Sequence, residues 1–309
     1  MERPELSIVI VSYNVKDLLR SALLSVSTYL KDQAEVIVVD NNSNDGSAEM
    51  VHQSFPNVKL LKNADNTGFS DANNKGVALA SASAVLLLNP DTELTDGSLR
   101  DLLKSRGAEL STGTIFAPKL LNSDKSLQKS CWKFPSAFRS VLELFYLDTL
   151  FSNGYPNDFF EKEFSPDFAS GAALLFSRER YTREKGLDET LFWMEDTDLC
   201  YRFRKSGGRV VYVPAVTIIH HSGKSAAGNR RIAISNQLIS KLKFFRKHKM
   251  YLSGMIAVPA IFFHILSRIL LLLPLSLFAE RWAVKLDAYF YTWKKYIAYL
   301  FLGNSKVTL

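Results

Sequence analysis

Polar side chains that could bind a ligand follow three apolar stretches of the sequence. The stretches SIVIV, EVIVV and VLLL each predict a buried strand, and each runs directly into amides, hydroxyls or carboxylates. Asn-Pro and Asp also favour turns, so one such end alone could be a plain exit from a strand. Three ends of this kind predict a polar rim that binds a ligand. Its side chains are those of Ser12, Tyr13, Asn14, Asp40, Asn89 and Asp91.

A second group of chemically active residues lies in LFWMEDTDLCYRFRKSGG (191–208). Three carboxylates crowd the start of a predicted helix, where the positive end of the helix dipole favours negative charge. Capping accounts for one or two of them, and the apolar residues before them would raise a carboxyl pKa and suit a general base. Arg202 and Arg204 could pair with these acids or bind phosphate. The acids are Glu195, Asp196 and Asp198, preceded by Phe192, Trp193 and Met194.

Two adjacent histidines follow another predicted strand, in TIIHHSGKS (217–225). Neighbouring histidines could simply form a polar edge of a sheet. Beside the Asp91 carboxylate, however, His220 or His221 could be a second ligand for a hard divalent cation. The predicted metal ligands are therefore Asp91, His220 and His221.

The elements that would position these residues alternate between strands and helices. This alternation predicts an α/β fold with a doubly wound, mostly parallel sheet, and continuous apolar strands fit a sheet covered on both faces. Ligands bind outside the carboxyl ends of the strands in such sheets, which would bring the three polar ends together. Periodicity weakens over 118–165, where aromatic residues are frequent. The predicted strands are 6–13, 35–40, 58–63, 84–89, 171–177 and 209–214, with helices near 18–26 and 68–80 and helix starts within 41–50 and at Glu195.

Several other classes of protein are disfavoured by missing motifs. The first strand is followed by SYNVKDLL, which has no glycine, so a GxGxxG dinucleotide turn is excluded, and no GxxxxGK[ST] phosphate loop occurs. A phosphoacceptor aspartate in VDNNSNDGS would need an acidic pair after the first strand and a late lysine, which are absent.

Cys131 and Cys200 are too few for a disulfide framework or a zinc knuckle and fit a reducing compartment. The N-terminal MERPELSIVIVSYN predicts a buried strand and no signal peptide.

Six stretches of the sequence resemble the motifs of the family 2 glycosyltransferases, which have the GT-A fold. The resemblance is greatest to the bacterial rhamnosyltransferase-like branch, and it spans roughly residues 5–225 in the family's order. Six ordered motifs make a specific signal, whereas any one alone would be weak. The stretches are SIVIVSYN, VDNNSNDGS, NTGFSDANNKG, LLLNPDTEL, GLDETLFWMEDTDLCYRFRKSGG and IIHHSGKS.

The resemblance implies that a nucleotide-diphosphate sugar binds at the polar rim. Asp40 would contact the nucleobase or ribose, while Asn89 and Asp91 occupy the first and third positions of the family's DXD motif. The usual leading aspartate is asparagine here, which leaves Asp91 as the metal ligand and Asn89 as a hydrogen-bonding group for the sugar. The implied cofactor is Mg²⁺ or Mn²⁺, with His220 or His221 near the metal and pyrophosphate. The donor pocket would also be lined by Asn66, Gly68 and Asn73.

The same resemblance makes Asp196 the catalytic base, supported by Glu195. A divalent cation neutralises the charge on a departing diphosphate, and an acceptor hydroxyl becomes nucleophilic when a carboxylate accepts its proton. One base on the face opposite the leaving group gives a single displacement with inversion. The implied enzyme transfers a sugar to a glycan acceptor, lipid-linked, in bacterial surface polysaccharide synthesis. Thymidine-diphosphate-rhamnose is the favoured donor, followed by UDP-hexoses and N-acetylhexosamines.

The C-terminal part of the chain is basic and apolar. Residues 229–309 carry 13 Lys and Arg against Glu280 and Asp287, a net charge of +11, whereas the whole chain carries +7. Such a tail suits an anionic membrane surface better than nucleic acid, and no nucleic-acid-binding motif occurs. We therefore predict a catalytic domain over 1–228 and a helical, membrane-associating tail over 229–309.

The apolar run MIAVPAIFFHILSRILLLLPLSLF (255–278) is longer than the about 20 residues that span a bilayer. It contains His264 and Arg268, however, and an arginine within lipid is costly. KLDAYFYTWKKYIAYLFLG (285–303) alternates aromatic residues with lysines, which is typical of an interfacial helix. We predict a peripheral or monotopic tail at the cytoplasmic face of the cell membrane. A true span and a soluble helical subdomain or dimer interface stay open as alternatives.

Two other functions also stay open at the level of sequence. A transferase acting on polyprenyl phosphate would need a basic cluster near Asp196, which Arg202, Arg204 and Lys205 could form. A non-catalytic, membrane-bound protein that binds sugar-nucleotides or glycans would need no base. The intact acids therefore favour an enzyme.

Overall fold

Strand β1, Leu6–Ser12, lies within the sheet and is buried along its whole length. In the computed structural model, which describes residues 4–144, 155–221 and 230–302, β1 pairs in parallel with β2, Ala34–Asp40, and with β4, Ala84–Leu88. Parallel strands buried on both faces are continuous apolar runs, as these three are. The three strands that the sequence predicts to end in polar residues are therefore neighbours.

Further strands extend this parallel core or flank it: β3 (Lys59–Lys62), β5 (Thr92–Leu94), β6 (Thr114–Leu121), β7 (Leu127–Gln128), β8 (Cys131–Trp132), β9 (Phe168–Ala169), β10 (Ala173–Ser177) and β11 (Arg209–His220). The large sheet has the order β3-β2-β1-β4-β10-β6-β11-β5, with β7 paired to β6. Strand β10 runs antiparallel to both β4 and β6, so the sheet is mixed beyond its parallel part. Strands β8 and β9 form a separate antiparallel pair.

Helices cover both faces of β1. Leu6, Ile8 and Ile10 share a core with apolar residues of α1 (Lys16–Leu30) and α2 (Ser47–Ser54). On the opposite face, a Cβ atom at Gly76 of α3 (Phe69–Leu79) would overlap the side chain of Val9, so this helix approaches the strand closely because residue 76 is glycine. The predicted α/β fold with a doubly wound, mostly parallel sheet is confirmed. The remaining helices are α4 (Ser98–Arg106), α5 (Ala108–Ser111), α6 (Ala137–Leu144), α7 (Arg178–Arg183), α8 (Glu195–Lys205), α9 (Arg230–Lys247), α10 (Tyr251–Leu275) and α11 (Glu280–Leu302).

Strand β6 was not among the predicted strands, and its proline explains why. Pro118 interrupts the run TIFAPKLL, and a proline within an apolar run argues against a central strand because it cannot donate to the ladder. In the structure, Pro118 pairs with Val213 of β11 at the position where the register between the two strands shifts. The irregularity in the ladder thus accommodates the missing N–H.

The described residues fall into two compact units. The first comprises those within Met1–Lys133, Tyr155–Glu189 and Glu195–Ser225, and the second those within Phe134–Gly154, Thr190–Met194 and Ala226–Leu309. The first unit contains every predicted site residue. The predicted boundary between residues 228 and 229 lies outside the described residues, as do Ser222–Ser225 of the last motif and Gly303 of the predicted interfacial helix, and this boundary stays a prediction.

The second unit is helical. Helices α9, α10 and α11 pack against one another, and α6 packs against α10. The C-terminal helices predicted from the basic and apolar patterns are confirmed. Among the described residues, α10 is the one helix long and apolar enough to cross a membrane. Only 28% of its most apolar 18-residue stretch is buried within the protein. Its exposed side chains include Leu252, Met255, Phe263, Leu270, Leu271 and Leu273.

Candidate active site

The polar ends of β1, β2 and β4 lie at one edge of the sheet. Ser12 is the register partner of Asp40 on β2, and the last residue of β4 is Leu88, directly before Asn89. Because neighbouring parallel strands end at the same edge, the predicted polar rim is formed by these three ends.

Asp40 and Ser12 form a buried polar pair at the centre of this rim. Asp40 is 1% exposed and Ser12 is fully buried. The Oδ2 atom of Asp40 accepts a hydrogen bond from the backbone N–H of Ser43 at 3.0 Å. Its Oδ1 atom and the Ser12 Oγ atom have no hydrogen-bond partner among the residues that the structure describes. Buried polar atoms without partners are rare and call for a ligand or water.

Tyr13 and Asn14 continue the first polar end into a loop. Asn14 adopts a left-handed conformation with φ of 53°, which asparagine tolerates better than most residues. Its Oδ1 atom accepts a hydrogen bond from the Asn44 N–H at 2.8 Å, and its own N–H donates to Ser43 Oγ at 3.0 Å. These bonds join the ends of β1 and β2, while the Tyr13 side chain is exposed.

Asn41 organises the loop that carries Asn66 and Gly68. Its Nδ2 group donates to Asn66 Oδ1 at 3.1 Å and to the Gly68 carbonyl at 3.2 Å, and its Oδ1 atom accepts from Asn63 Nδ2 at 2.7 Å. Gly68 has a φ of 88°, which glycine adopts without a steric cost. The structure thus brings Asn66 and Gly68 to the rim through Asn41, which follows Asp40 in the second polar strand end.

Asn73 does not join this network. It is buried inside helix α3, and its Nδ2 group donates to the Phe69 carbonyl of the same helix at 2.9 Å. Its predicted part in donor binding stays a prediction.

Asp91 and His220 face each other at the end of β4. The Asp91 carboxylate is 1% exposed, and its Oδ1 atom lies 3.3 Å from His220 Nε2. The neighbouring His221 turns elsewhere, because its Nε2 atom lies 2.8 Å from Glu93 Oε1 and its Nδ1 atom 2.8 Å from Ser123 Oγ. The structure therefore places His220, and not the His221 ring, against the Asp91 carboxylate.

Gln128 sets the tautomer of His220. Its Nε2 group donates to Asn122 Oδ1 at 2.8 Å and to the His220 carbonyl at 3.2 Å, which leaves its Oε1 atom as an acceptor. That Oε1 atom lies 2.7 Å from His220 Nδ1, so Nδ1 carries the proton. The Nε2 atom of a neutral His220 therefore points a lone pair at Asp91 Oδ1. No sequence pattern indicated Gln128, which lies 92 residues from His220.

Asn89 lies between the Asp91 carboxylate and strand β10. Its backbone N–H donates to the Ala172 carbonyl at 2.9 Å, which continues the pairing of β4 with β10. Its carbonyl accepts from Thr92 Oγ1 at 2.7 Å. The half-buried Asn89 side chain is left for other partners.

Asp196 lies at the start of helix α8 and is held at the same edge of the sheet. Its Oδ2 atom accepts a hydrogen bond from the Gly171 N–H at 2.9 Å, and its Oδ1 atom accepts from the Thr197 N–H at 2.6 Å. Gly171 precedes β10, whose first residue Ala173 pairs with Leu88 of β4. The Asp196 carboxylate is thus linked to the strand end that carries Asn89 and Asp91.

The surroundings of Asp196 oppose its ionisation. Burial of the carboxyl group raises its pKa, although the hydrogen bonds from Gly171 and Thr197 lower it. A Cβ atom at Gly171 would lie 3.5 Å from Asp196 Cβ and 3.9 Å from Phe69 Cε1, which are ordinary van der Waals contacts. A carboxyl group with a raised pKa is a better proton acceptor than an ordinary one.

Three other charged residues of helix α8, Asp198, Arg202 and Arg204, make structural bonds. The fully buried Asp198 accepts from Arg202 Nε at 2.7 Å, and Arg202 also donates to the carbonyls of Glu184 and Gly186. Arg204 donates to the Pro166 carbonyl at 2.9 Å. Glu195 is half-buried at the first position of the helix. Asp196 is therefore the acid of this cluster that the structure links to the sheet edge.

No group of three or more His, Cys, Asp or Glu side chains is arranged to hold a metal ion in the part of the chain that the structure describes. Of the three predicted metal ligands Asp91, His220 and His221, the structure brings the side chains of Asp91 and His220 together. Whether this pair binds a metal stays a prediction.

A rim of buried carboxylates and amides at the carboxyl ends of a doubly wound sheet defines a ligand-binding α/β protein. The family model described as Glycosyl transferase family 2 matches residues 7–178. The chain belongs to this family, and it is a glycosyltransferase.

Two relatives indicate the branch of the family to which this chain is most similar. The chain is 30% identical over 237 residues to the N-acetylglucosaminyl-diphospho-decaprenol L-rhamnosyltransferase of Mycobacterium tuberculosis (strain ATCC 25618 / H37Rv), which covers 71% of this chain and 77% of that protein. It is 26% identical over 227 residues to Rhamnosyltransferase WbbL of Escherichia coli (strain K12), covering 70% and 83% of the two chains. The predicted likeness to the rhamnosyltransferase branch is confirmed.

A solved structure shows the same fold. The mannosyltransferase PcManGT from Pyrobaculum calidifontis, in complex with GDP-Man and Mn²⁺, has a TM-score of 0.57 at 17% identity. The match covers 98% of this chain and 89% of that one. The predicted GT-A type of fold is confirmed.

The Asn41 network predicts a measurable contribution to stability. Replacing Asn41 with Ala leaves the amide of Asn63 and the side chain of Asn66 without their buried partner, which should cost about 1–3 kcal/mol of unfolding free energy. The exposed Asn44→Ala should change it by less than about 0.5 kcal/mol. Urea unfolding of the three proteins measures both effects, and equal midpoints for Asn41→Ala and the wild type would contradict the assigned network.

Proposed function

We propose that this glycosyltransferase moves a sugar from a nucleotide-diphosphate sugar to a hydroxyl group of a lipid-linked glycan, with inversion at the anomeric carbon. The observation that carries the proposal is the position of the Asp196 carboxylate. The Gly171 N–H holds it beside the strand end that bears Asn89 and Asp91. A proton acceptor and a site for a charged leaving group are thus offered by one edge of the sheet.

The donor nucleotide would bind at the ends of β1 and β2. Asp40 Oδ1 and Ser12 Oγ are buried and have no partner within residues 4–144, 155–221 and 230–302, so they would offer an acceptor and a hydroxyl to the base or ribose. The loop of Asn66 and Gly68, fixed by Asn41, would form the adjoining wall of the pocket. Asn89 would then bond to a hydroxyl group of the sugar.

The Asp91–His220 pair fits Mg²⁺ or Mn²⁺. Two lone pairs that face each other at 3.3 Å repel unless a proton or a cation lies between them. Such a cation would take its other ligands from diphosphate oxygens and water, as Mg²⁺ commonly does. When bound, the cation would neutralise the negative charge on the diphosphate leaving group. The Gln128–His220 bond would keep the imidazole lone pair directed at this position.

Asp196 would act as the base. The acceptor hydroxyl oxygen attacks the anomeric carbon while the bond from that carbon to the diphosphate oxygen breaks. The hydroxyl proton passes to the Asp196 carboxylate, and the nucleoside diphosphate leaves with the bonding electron pair. Attack on the face opposite the leaving group inverts the configuration at the anomeric carbon. Glu195 would support Asp196 at the positive end of the helix dipole.

The name of one relative supports a particular class of acceptor and of donor for this enzyme. The Mycobacterium tuberculosis relative is named for N-acetylglucosaminyl-diphospho-decaprenol as acceptor and L-rhamnose as the transferred sugar. We propose the same two classes here, a diphospho-polyprenol-linked glycan and thymidine-diphosphate-rhamnose. A donor panel that also contains UDP-hexoses and UDP-N-acetylhexosamines, read by release of nucleoside diphosphate, tests this assignment.

The alternative acceptor, polyprenyl phosphate itself, stays open. Of the three cations of its basic cluster, Arg202 is bonded to Asp198 and to two loop carbonyls and Arg204 to the Pro166 carbonyl, whereas Lys205 is exposed. These arginines stabilise helix α8 and its surroundings. A non-catalytic binding protein would bind the donor without turning it over, so release of nucleoside diphosphate distinguishes this alternative from an enzyme.

The helical unit would hold the enzyme at the cytoplasmic face of the membrane. Leu270 and Leu271 of α10 are 62% and 59% exposed, and continuous exposed apolar surface marks an interaction site. On α11, Arg281 lies 5.0 Å and Lys285 4.6 Å from the ring centroid of Trp282. Aromatic and basic residues of this kind are enriched where helices lie in the membrane interface. We therefore propose a monotopic or peripheral mode of binding.

The metal proposal predicts a specific pattern of Mn²⁺ affinity, measured by calorimetry or electron paramagnetic resonance on the purified chain with nucleoside diphosphate. Asp91→Asn and His220→Ala should each weaken Mn²⁺ binding strongly. Gln128→Leu should weaken it by about 10- to 100-fold, because the ring of His220 loses its orienting partner. His221→Ala is the matched control and should retain most of the affinity. Equal Mn²⁺ affinity in Asp91→Asn and the wild type would remove Asp91 as a ligand.

The base proposal predicts that Asp196→Asn lowers kcat by about 10²–10⁴-fold while the Kd of the donor stays unchanged. Because both Asp196 oxygens accept backbone N–H groups, the amide also leaves one N–H unpaired and should lower the Tm. Asp198→Asn is the matched control, since it loses the bond to Arg202 and some stability but should retain kcat. Near-wild-type turnover by Asp196→Asn would exclude Asp196 as the base.

The same residue sets the expected pH dependence. Asp196 must be ionised to accept the proton, so kcat should be full above its raised pKa and fall as the pH falls through that value. Donor affinity measured over the same pH range separates this effect from binding.

Membrane binding is tested by flotation of the full chain with vesicles. We expect recovery with phosphatidylglycerol vesicles at low salt and reduced recovery at high salt, because charges at an interface are screened, whereas a span would be insensitive. Leu270→Asn combined with Leu271→Asn should reduce recovery. Leu79→Asn, at a 46% exposed leucine of the first unit, should not. Full-length protein that is soluble without detergent and does not float would exclude the membrane proposal.

A further inference from the structure

A cleft of about 280 Å³ lies within the helical unit, among helices α9, α10 and α11. Its walls are mostly apolar and include Leu242, Phe245, Met250, Val258, Tyr299 and Leu300. The volume is just below the roughly 300–1,000 Å³ typical of small-ligand pockets. It suits a single hydrocarbon chain better than a folded peptide segment or a drug-sized polar molecule.

One cation lies in the lining of this cleft. Arg246, near the end of α9, is a lining residue, and none of the lining residues is acidic. Its guanidinium group makes no hydrogen bond or ion pair within the described part of the chain, whereas Arg231 of the same helix pairs with Asp287 at 3.5 Å. An uncompensated guanidinium beside an apolar cleft is complementary to a phosphate group that carries a hydrocarbon chain.

The rim of the cleft is apolar and exposed. Tyr251 and Met255 are 68% and 72% exposed, and both line the cleft. A ligand that enters from water would meet an apolar rim, whereas one that enters from a bilayer would remain in contact with hydrocarbon. The rim thus favours a lipid as the occupant.

We propose that this cleft binds one acyl chain of an anionic membrane phospholipid, whose phosphate is bound by Arg246. The inference extends the proposed membrane contact of this unit, on which it rests, from a general surface to one specific lipid site. It does not involve donor, metal or turnover.

Gly254 makes the proposal testable without damage to the fold. It lies in α10 and lines the cleft, and an added Cβ atom would meet only Phe245 Cβ, at 3.9 Å. A larger side chain there would extend into the open space of the cleft. Because glycine is about 1 kcal/mol less favourable than alanine within a helix, the replacement should not weaken α10.

The experiment is native mass spectrometry of the full-length chain released from detergent micelles, with dioleoyl phosphatidylglycerol, dioleoyl phosphatidylcholine or undecaprenyl phosphate added. We expect saturable binding of one phosphatidylglycerol per chain. Gly254→Leu should weaken this binding by at least about tenfold, whereas Gly254→Ala should leave it nearly unchanged. Arg246→Gln should remove about a tenfold preference for phosphatidylglycerol over phosphatidylcholine, since a charge-assisted hydrogen bond is lost. Lys249→Gln, which removes the same charge from a residue outside the lining, should keep the preference.

Several outcomes would overturn the proposal. Undiminished phosphatidylglycerol binding by Gly254→Leu would show that the cleft is not the site. Saturable binding of undecaprenyl phosphate without phosphatidylglycerol would assign the cleft to a polyprenyl lipid. A lipid-independent dimer that Gly254→Leu disrupts would assign it to a second copy of the chain. Since the readout is lipid mass on the intact chain, failure here leaves flotation and donor turnover as separate tests of the proposed function.

Discussion

The hydrogen bond from the Gly171 N–H to the Asp196 carboxylate, at 2.9 Å, is the interaction on which the proposed chemistry depends. It joins the start of helix α8 to the segment before β10, and β10 in turn pairs with β4, which ends at Asn89 and Asp91. A base must lie within about an ångström of its productive position to be effective. Gly171 lies in the turn directly before β10, and the pairing of β10 with β4 fixes the end of that turn. A backbone N–H so close to a paired strand has little freedom to move, so it can provide this accuracy.

The partners of Asp196 and Asp198 give these two carboxylates different roles, one proposed in catalysis and one in stabilising helix α8. Asp198 is fully buried, but Arg202 compensates its charge, so ionisation of Asp198 stabilises helix α8. Asp196 accepts hydrogen bonds from the Gly171 and Thr197 N–H groups and from the Thr197 hydroxyl, and burial raises its pKa. Two acids separated by two positions on one helix thus acquire different properties, because one faces a guanidinium group and the other faces the sheet edge. Sequence spacing alone shows three acids at a helix start and does not separate these roles.

The sequence predicted the elements that periodicity and turn chemistry determine. The strands ending at Ser12, Asp40 and Leu88 and the helix that starts at Glu195 are found where the apolar patterns placed them. It did not predict contacts between residues that are distant along the chain. Gln128 orients His220 across 92 residues, and Asn41 binds Asn66 across 25, and neither pair leaves a local pattern. The separate directions of His220 and His221 follow from the alternation of side chains along β11, but only the partners of that strand show which ring meets Asp91.

The atoms that lack partners at the rim imply a cost in stability that a ligand would remove. Asp40 Oδ1, Ser12 Oγ and Asp91 Oδ1 are buried and accept or donate no hydrogen bond within the described part of the chain, and each such atom typically costs about 1–3 kcal/mol. The surrounding sheet, with β1 buried along its length, tolerates this cost because its apolar core is large. If the proposed donor and cation satisfy these atoms, this cost would be regained as binding free energy. Substitutions that fill the rim with apolar side chains would stabilise the fold and abolish binding, which is the expected relation between stability and function at a site prepared for a polar ligand.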